Sequence, residues 1–359
     1  MAMVVVNSAG HGGHVYAPLR HARWNGLTIA DMVFPAFVTF LGASLWLSNE
    51  HERRAGTRTA VVVARIVRRS LLLVGLGLAL HAFPRPDFPE LRLPGVLQRL
   101  GLITLLVGLV LRLLSRRQQA AVAIALMVSY AVLLRWVQVP GVGHAAMTPT
   151  ENWPGWLDMR VFGQRHVYGN GGYDPEGILS TFAATVTALG GAWITRFIAR
   201  REQFRIVAGW CALALLAGFL GILVNPLNKR MWTPSFGAVT GAIACGLLVA
   251  CEHRMRRHGH FGPHARVIPT MVTNMVTNIV TNMGRRSLEI YLLSEVANDA
   301  LHRYHPRFAD GDTLRGWAYR RYAGFLPLQM ASLAYALTLL AAWCSIAAIL
   351  VGRNWRLRL

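Results

Sequence analysis

AGFLPLQMASLAYALTLLAAWCSIAAILVG, residues 323–352, runs for thirty residues without a charged side chain. A helix rises about 1.5 Å per residue, so roughly 20 apolar residues cross a hydrocarbon core. Comparable charge-free runs are Met32–Asn49, Ser70–Pro84, Gln118–Leu134, Gly177–Thr195, Ile206–Asn228, Met231–Cys251 and Val267–Gly284. They are continuously apolar rather than alternating. Only helices and closed barrels satisfy the backbone in lipid, so these runs read as helices. Composition agrees, with 54% hydrophobic and 15% charged residues, where a soluble domain carries about 25% charged. The sequence therefore predicts an all-α, polytopic transmembrane bundle of about ten spans, a single domain over 1–359.

The expected spans are a partial first helix ending near Ala9, then 29–48, 66–83, 96–114, 119–138, 177–198, 206–225 and 233–251, a helix within 267–301, and 326–351. Pro35 is expected to kink the second. MAMVVVNSAG lacks a basic n-region and is too short to span. It reads as the second half of a first helix whose start is missing. The tract MVTNMVTNIVTN, 271–282, would stack Asn274, Asn278 and Asn282 on one face as helix glue or a cavity lining, unless it is a plain tandem duplication.

The net charge is +21. Its placement argues against nucleic acid. Arginines cluster at 51–58, 112–117, 196–205, 253–266 and 353–359, at every second connection. That is the pattern of cytoplasmic loops. The segments 84–95, 139–176 and 303–322 then lie outside, and the C-terminus inside. Cys211, Cys245, Cys251 and Cys344 lie in or at the ends of spans without metal-ligand spacing, and read as packing residues.

Several polar groups stand at the predicted membrane edge, where ionisable residues are functional candidates by default. His21 precedes Trp24-Asn25-Gly26, and Asp31 enters the second helix near its N-terminus, where the dipole favours a carboxylate. Imidazole titrates near pH 6.5 and serves as base or nucleophile, and an amide such as Asn7 can orient it. The plain alternative is an interfacial histidine at headgroup level. Gln98 and Arg99 open the fourth span, and an arginine there implies a partner such as Asp31 or a ligand, or simple snorkelling. His166 and Tyr168 precede Tyr173-Asp174-Pro175-Glu176-Gly177, in which Asp174 reads as the N-cap of the next helix. The turn Asn225–Phe236 holds Asn228, Trp232 and Lys229, the one lysine of a chain whose other cations are arginine. His11 and His14 form HGGH, which without further ligands is too little for a metal site.

Taken in order, WNGLTIADMVFPAF (24–37), PGVLQRLG (94–101), HVY…YDPEGILST (166–181) and NPLNKRMWTPSF (225–236) resemble the heparan-α-glucosaminide N-acetyltransferase family of transmembrane acyltransferases and its bacterial homologues. GRRSLEIY (284–291) is a looser match to the family's Asn-Ser-x-x-x-Tyr segment. The resemblance covers nearly the whole chain. It implies acetyl transfer from cytoplasmic acetyl-CoA, as co-substrate and without metal, to an extracytoplasmic sugar amine or hydroxyl. It places the active histidine on His21 and the loop asparagine on Asn7, with His21 as base or acetyl carrier. Trp24, Asn25, Asp31, Gln98, Arg99, His166, Asp174, Glu176, Asn228, Lys229 and Trp232 would line the substrate cavity. A multi-pass protein of a bacterial inner membrane follows, with a glycan or amino-sugar acceptor, no nucleic-acid partner, and homodimerisation left open. The chain begins after the family's Asp-x-x-Arg-Gly segment, its spacer HGGHVYAPLR is longer, and the long loop lacks a Gly-Pro-Gly stretch, so acceptor identity does not carry over. The alternative from the residues is a permease using the same cavity without chemistry, against which stands the lack of a repeat between the two halves.

Overall fold

A computed structural model describes residues 2–83, 87–170, 172–200, 203–258, 282, 284, 286–306 and 312–353. The MVTN tract apart from Asn282, the basic stretch 259–266 and the tail 354–359 lie outside them. The helices are α1 (Ala2–Asn7), α2 (Ile29–Arg54), α3 (Thr59–Ala82), α4 (Val96–Leu113), α5 (Arg116–Trp136), α6 (Trp153–Phe162), α7 (Ile178–Ala199), α8 (Phe204–Gly221), α9 (Pro234–His258), α10 (Ser287–Arg303), α11 (Leu314–Ala323) and α12 (Leu328–Gly352). The described residues hold no strand beyond one isolated bridge between Met147 and Asn152.

Among the described residues, seven helices, α2, α4, α5, α7, α8, α9 and α12, are long and apolar enough to cross a membrane. The protein is a polytopic helical membrane protein. Of the three further spans expected, the helix within 267–301 lies largely outside the described residues, which show only α10 there, and the other two differ for local reasons. Only six residues of α1 are helical, and α3, though 24 residues long, carries Arg65, Arg68 and Arg69 in its first half. Large apolar side chains of α8, among them Trp210, Leu213, Leu216 and Phe219, are exposed. Such a face suits lipid contact and would be unusual in water.

Two connections expected to be plain loops contain helices. Asn152 accepts the Gly155 N–H at 2.7 Å and Pro154 sits in the first turn of α6. Thr313 accepts the Gly316 N–H at 3.0 Å to start α11. Both are side-chain caps for orphan N–H groups.

The chain forms two compact units. The first comprises Met1–His21, Thr28–Val33 and the described part of His258–Arg358; the second comprises Ala22–Leu27 and Phe34–Arg257. In the first, α1 and α11 pack on α12, and Val4, Ile290, Trp343 and Ala347 form its core. Arg315 of α11 donates to the carbonyls of Ala9 and Gly10, tying down the segment after α1.

In the second unit α3 packs along α4, and α7 lies against α4 and α5. Small residues set the approach of α2 to α7. A Cβ on Gly42 would fall 1.7 Å from the Ala188 carbonyl oxygen, and one on Gly191 would fall 2.0 Å from that of Thr39. Backbones this close are how membrane helices gain packing energy without a hydrophobic driving force between them.

Candidate functional site

The first unit holds the histidine. The His21 Nδ1 lies 2.8 Å from Asp31 Oδ1; Asp31 is 1% exposed and the His21 side chain 43%. A carboxylate accepts only, so Nδ1 carries the proton and the basic lone pair of neutral His21 is on Nε2. Asp31 occupies the third residue of α2. Its second oxygen, Oδ2, accepts the Thr28 hydroxyl at 2.9 Å and the Thr28 N–H at 3.3 Å, while the Asp31 N–H reaches back to Thr28 Oγ1 at 3.3 Å. This is a reciprocal capping arrangement at a helix start, spelled Thr-x-x-Asp. The dipole of α2 further favours the carboxylate.

Asn7, at the end of α1, donates its side-chain amide to Glu295 Oε1 of α10 at 3.4 Å. The HGGH segment turns inward on itself. The His11 and His14 rings stack at 4.4 Å, and His14 Nδ1 lies 2.8 Å from the Tyr319 hydroxyl. Among the described residues no group of three or more His, Cys, Asp or Glu side chains converges as a metal site would require.

The second unit gathers residues from all four sequence blocks. Asn228 Nδ2 donates to Asn25 Oδ1 at 3.0 Å, and Gly26 N–H to the Leu227 carbonyl at 2.7 Å. Trp24 Nε1 donates to the Met147 carbonyl at 2.8 Å and meets Tyr173 edge-on at 5.2 Å. Arg230 donates to the Tyr173 hydroxyl, and Lys229 is half-buried beside it in the chain. Trp232 is fully buried at φ +50°, donates to Thr187 Oγ1 at 3.1 Å and packs edge-on to Phe34 and Phe236. A bulky residue in the left-handed region is strained, and such strain collects at functional sites.

Arg99 is 1% exposed. It donates to the Pro175 carbonyl, to Ser180 and, at 3.2 Å, to Thr181, with its guanidinium 5.2 Å from the Trp232 ring centre. Its partners here are thus the start of α7 and an aromatic face, where the sequence left Asp31, a ligand or snorkelling open. Gln98 Nε2 stands 3.4 Å from His81 Nδ1, and Gln98 Oε1 is buried with no partner among the described residues. His166 Nδ1 donates to the Leu91 carbonyl at 2.7 Å, so this histidine fastens one connection to another.

The N-cap assignment of Asp174 is overturned. Ile178 starts α7 and Gly177 is its N-cap. Asp174 belongs to Arg92, whose Nε and Nη2 reach its two oxygens at 2.9 and 2.6 Å while Nη2 also reaches Glu176 at 2.6 Å. The Asp174 carboxylate also accepts the N–H groups of Tyr168 and Glu176, both at 2.9 Å. Burial works against the Arg92 charge, but two carboxylates outweigh it and hold its pKa above the ordinary arginine value. The cap of α7 comes instead from Asp158 of α6, whose Oδ1 accepts the Ile178 N–H at 2.9 Å. Burial pushes the Asp158 carboxyl up to about 7, the Ile178 hydrogen bond opposing and the Asp174 charge adding.

At the opposite end of the same helices the second unit lines an open cavity of about 540 Å³. Trp46 and Trp193, Asn49, and the arginines Arg53, Arg116 and Arg196 are on its wall. Asn49 Oδ1 is buried there with no partner among the described residues. From Arg99 to Leu111, along α4, is 12 residues or about 18 Å.

Fold and site together define a multi-pass helical membrane protein with a His–Asp pair at the head of one helix and an arginine-rich cavity in the second unit. The chain is similar to heparan-alpha-glucosaminide N-acetyltransferase from Mus musculus, 26% identical over 307 residues, and from Homo sapiens, 27% identical over 308. Each match covers 69% of this chain, and 47% and 46% of the relative, so the chain spans about half the length of the curated relatives it matches. No family model matches.

Sequence reasoning missed Thr28, Arg92 and Asp158. Thr28 was recoverable from its capping spacing to Asp31. Arg92 and Asp158 act on partners 82 and 20 residues away, and nothing local marks them.

Proposed function

We propose that this protein is a membrane-embedded acyltransferase that moves an acetyl group from acetyl-CoA to an amine or hydroxyl of a sugar. The observation that carries this reading is the His21–Asp31 pair, 2.8 Å apart, at the block whose sequence resembles transmembrane N-acetyltransferases. With the proton fixed on Nδ1, Nε2 takes the proton of the acceptor as its nitrogen or oxygen attacks the thioester carbonyl. The tetrahedral intermediate expels CoA thiolate, which recovers the proton. In the carrier variant Nε2 itself attacks the thioester carbonyl, the C–S bond breaks to release CoA thiolate, and the acceptor then takes the acetyl group from the imidazole as its own proton passes to the thiolate. Asp31 holds the tautomer and stabilises the imidazolium. Asn7 gives one amide N–H to Glu295 and has a second to offer the thioester carbonyl. Trp24, Asn25, Asn228, Lys229 and Trp232, in the second unit, offer the polar and aromatic groups that a sugar acceptor would need.

The cavity in the second unit supports the donor half of the reading. Arg53, Arg116 and Arg196 suit phosphates, and Trp46 and Trp193 suit a stacked base. We place it at the cytoplasmic face, in line with the arginine-rich connections.

The test uses purified protein, labelled acetyl-CoA and a panel of amino sugars. Labelled product from the wild type that disappears in His21→Ala is the expected result. Acid-quenched labelled protein would identify the carrier variant. Uptake of an amino sugar into vesicles that survives His21→Ala, without any acetylated product, would make the protein a permease.

A further inference from the structure

The His21–Asp31 contact depends on where the Asp31 carboxylate points, and α2 does not decide that alone. A carboxylate on the third residue of a helix is free to rotate about two side-chain bonds. Here one oxygen is pinned. Asp31 Oδ2 accepts from the Thr28 hydroxyl at 2.9 Å and from the Thr28 N–H at 3.3 Å. Oδ1 is then directed at His21 Nδ1, 2.8 Å away. The Thr28 oxygen simultaneously accepts the Asp31 N–H at 3.3 Å, so the hydroxyl has one settled orientation, its single proton turned to the carboxylate.

We propose that Thr28 is a positioning residue of the transfer reaction, the third member of a Thr28–Asp31–His21 chain that fixes the reactive tautomer of the histidine. This rests on the reading of His21 given above. The competing explanation is that Thr28 only caps α2. The two roles use opposite halves of the hydroxyl. Capping needs an acceptor for the Asp31 N–H; positioning needs a donor to Asp31 Oδ2. Aspartate is at least as good as threonine in the first role and cannot perform the second, and it adds a like charge beside Asp31.

Four variants separate the possibilities in the labelled-acetyl assay. Thr28→Ser keeps donor and acceptor and should stay within about threefold of wild type. Thr28→Val removes both at constant shape. It should lower kcat by roughly 10–100-fold, the equivalent of a lost hydrogen bond to a charged group, with the KM for acetyl-CoA changing less than about threefold. Thr28→Asp should retain the thermal midpoint of the wild type and still lose at least as much kcat as Thr28→Val. His21→Ala is the reference for the underlying reading.

Full kcat in Thr28→Asp would show a helix cap and nothing more. Wild-type kcat in Thr28→Val, alongside an inactive His21→Ala, would overturn the role of Thr28 while leaving His21 in place. Undiminished activity of His21→Ala would remove the reading on which both stand.

Discussion

Asp31 divides its two oxygens between a threonine and a histidine, and that division argues for its charge as well as its shape. Asp31→Asn is nearly isosteric but has only one acceptor atom, and its amide can force the other imidazole tautomer. Kinetics of this variant should show kcat down by about 10²–10⁴-fold with a much smaller change in KM, the pattern of a mispositioned general base. Asp158 makes a second, independent case. Its carboxyl is raised from 3.8 to about 7 by burial. A carboxyl raised in the folded state stabilises fully below its unfolded value and loses that contribution as the pH climbs through about 7. Thermal midpoints in detergent should therefore fall across pH 4 to 7 by an amount that Asp158→Asn removes, since asparagine keeps the acceptor for the Ile178 N–H and never ionises. Parallel pH curves for the two proteins would refute this. These residues differ in how far sequence announced them. His21 and Asp31 were both singled out from sequence, but their pairing was not, since Asn7 was expected beside the histidine and Arg99 beside the aspartate. Asp174 was misread because Asp-Pro-Glu-Gly has the local form of a cap, while the guanidinium that claims it comes from Arg92 in another connection.

At the scale of elements, the long apolar runs marked α4, α5, α7, α8 and α12 to within a few residues, because in lipid a missing charge over 18 or more residues leaves the backbone no other solution, whereas α2, α3 and α9 run six or seven residues further into charged sequence. The short helices α6 and α11 were missed: ten residues without a strong apolar stripe do not rise above the loop background, and their caps gain meaning only with the fold in view. The crossing of α2 over α7 was equally hidden, since Gly42 and Gly191 are two of 34 glycines. It yields a sharp prediction. Gly42→Ala or Gly191→Ala drives a methyl into a backbone carbonyl and should destabilise the protein by roughly 1–3 kcal/mol, read as a lower thermal midpoint. Gly190→Ala, whose Cβ would meet nothing within 4 Å, should leave the midpoint unchanged or slightly raised by helix propensity. Equal effects at Gly190 and Gly191 would mean that backbone approach does not set the packing of α7. Arg92 binds elements in the opposite way, through charge. Arg92→Gln leaves the buried Asp174 carboxylate its two N–H donors but no counter-charge, at a cost of about 3 kcal/mol, and Arg92→Gln combined with Asp174→Asn should recover part of that loss.

For the whole molecule the issue is sidedness. Arginine clusters recur at alternate connections, and in the second unit the polar cluster around Arg99, Asn228 and Trp232 stands at the opposite end of the helices from the arginine-walled cavity. Under the proposed function, such an arrangement would receive a phosphorylated, membrane-impermeant donor on one face and deliver only its acyl group towards the other. If so, acetyl-CoA and acceptor need never share a compartment. Protein reconstituted into sealed vesicles, with the amino sugar trapped inside and labelled acetyl-CoA added outside, should give labelled product in the lumen from molecules inserted with the arginine-rich face outward. Arg53→Ala and Arg196→Ala should raise the KM for acetyl-CoA by roughly 10-fold per lost phosphate contact, with kcat nearly unchanged, because a contact made equally in ground and transition states is lost from binding alone. Product formed only when both substrates are on the same side would end the vectorial reading. A fall in kcat rather than a rise in KM would move those arginines from donor binding to the support of the fold.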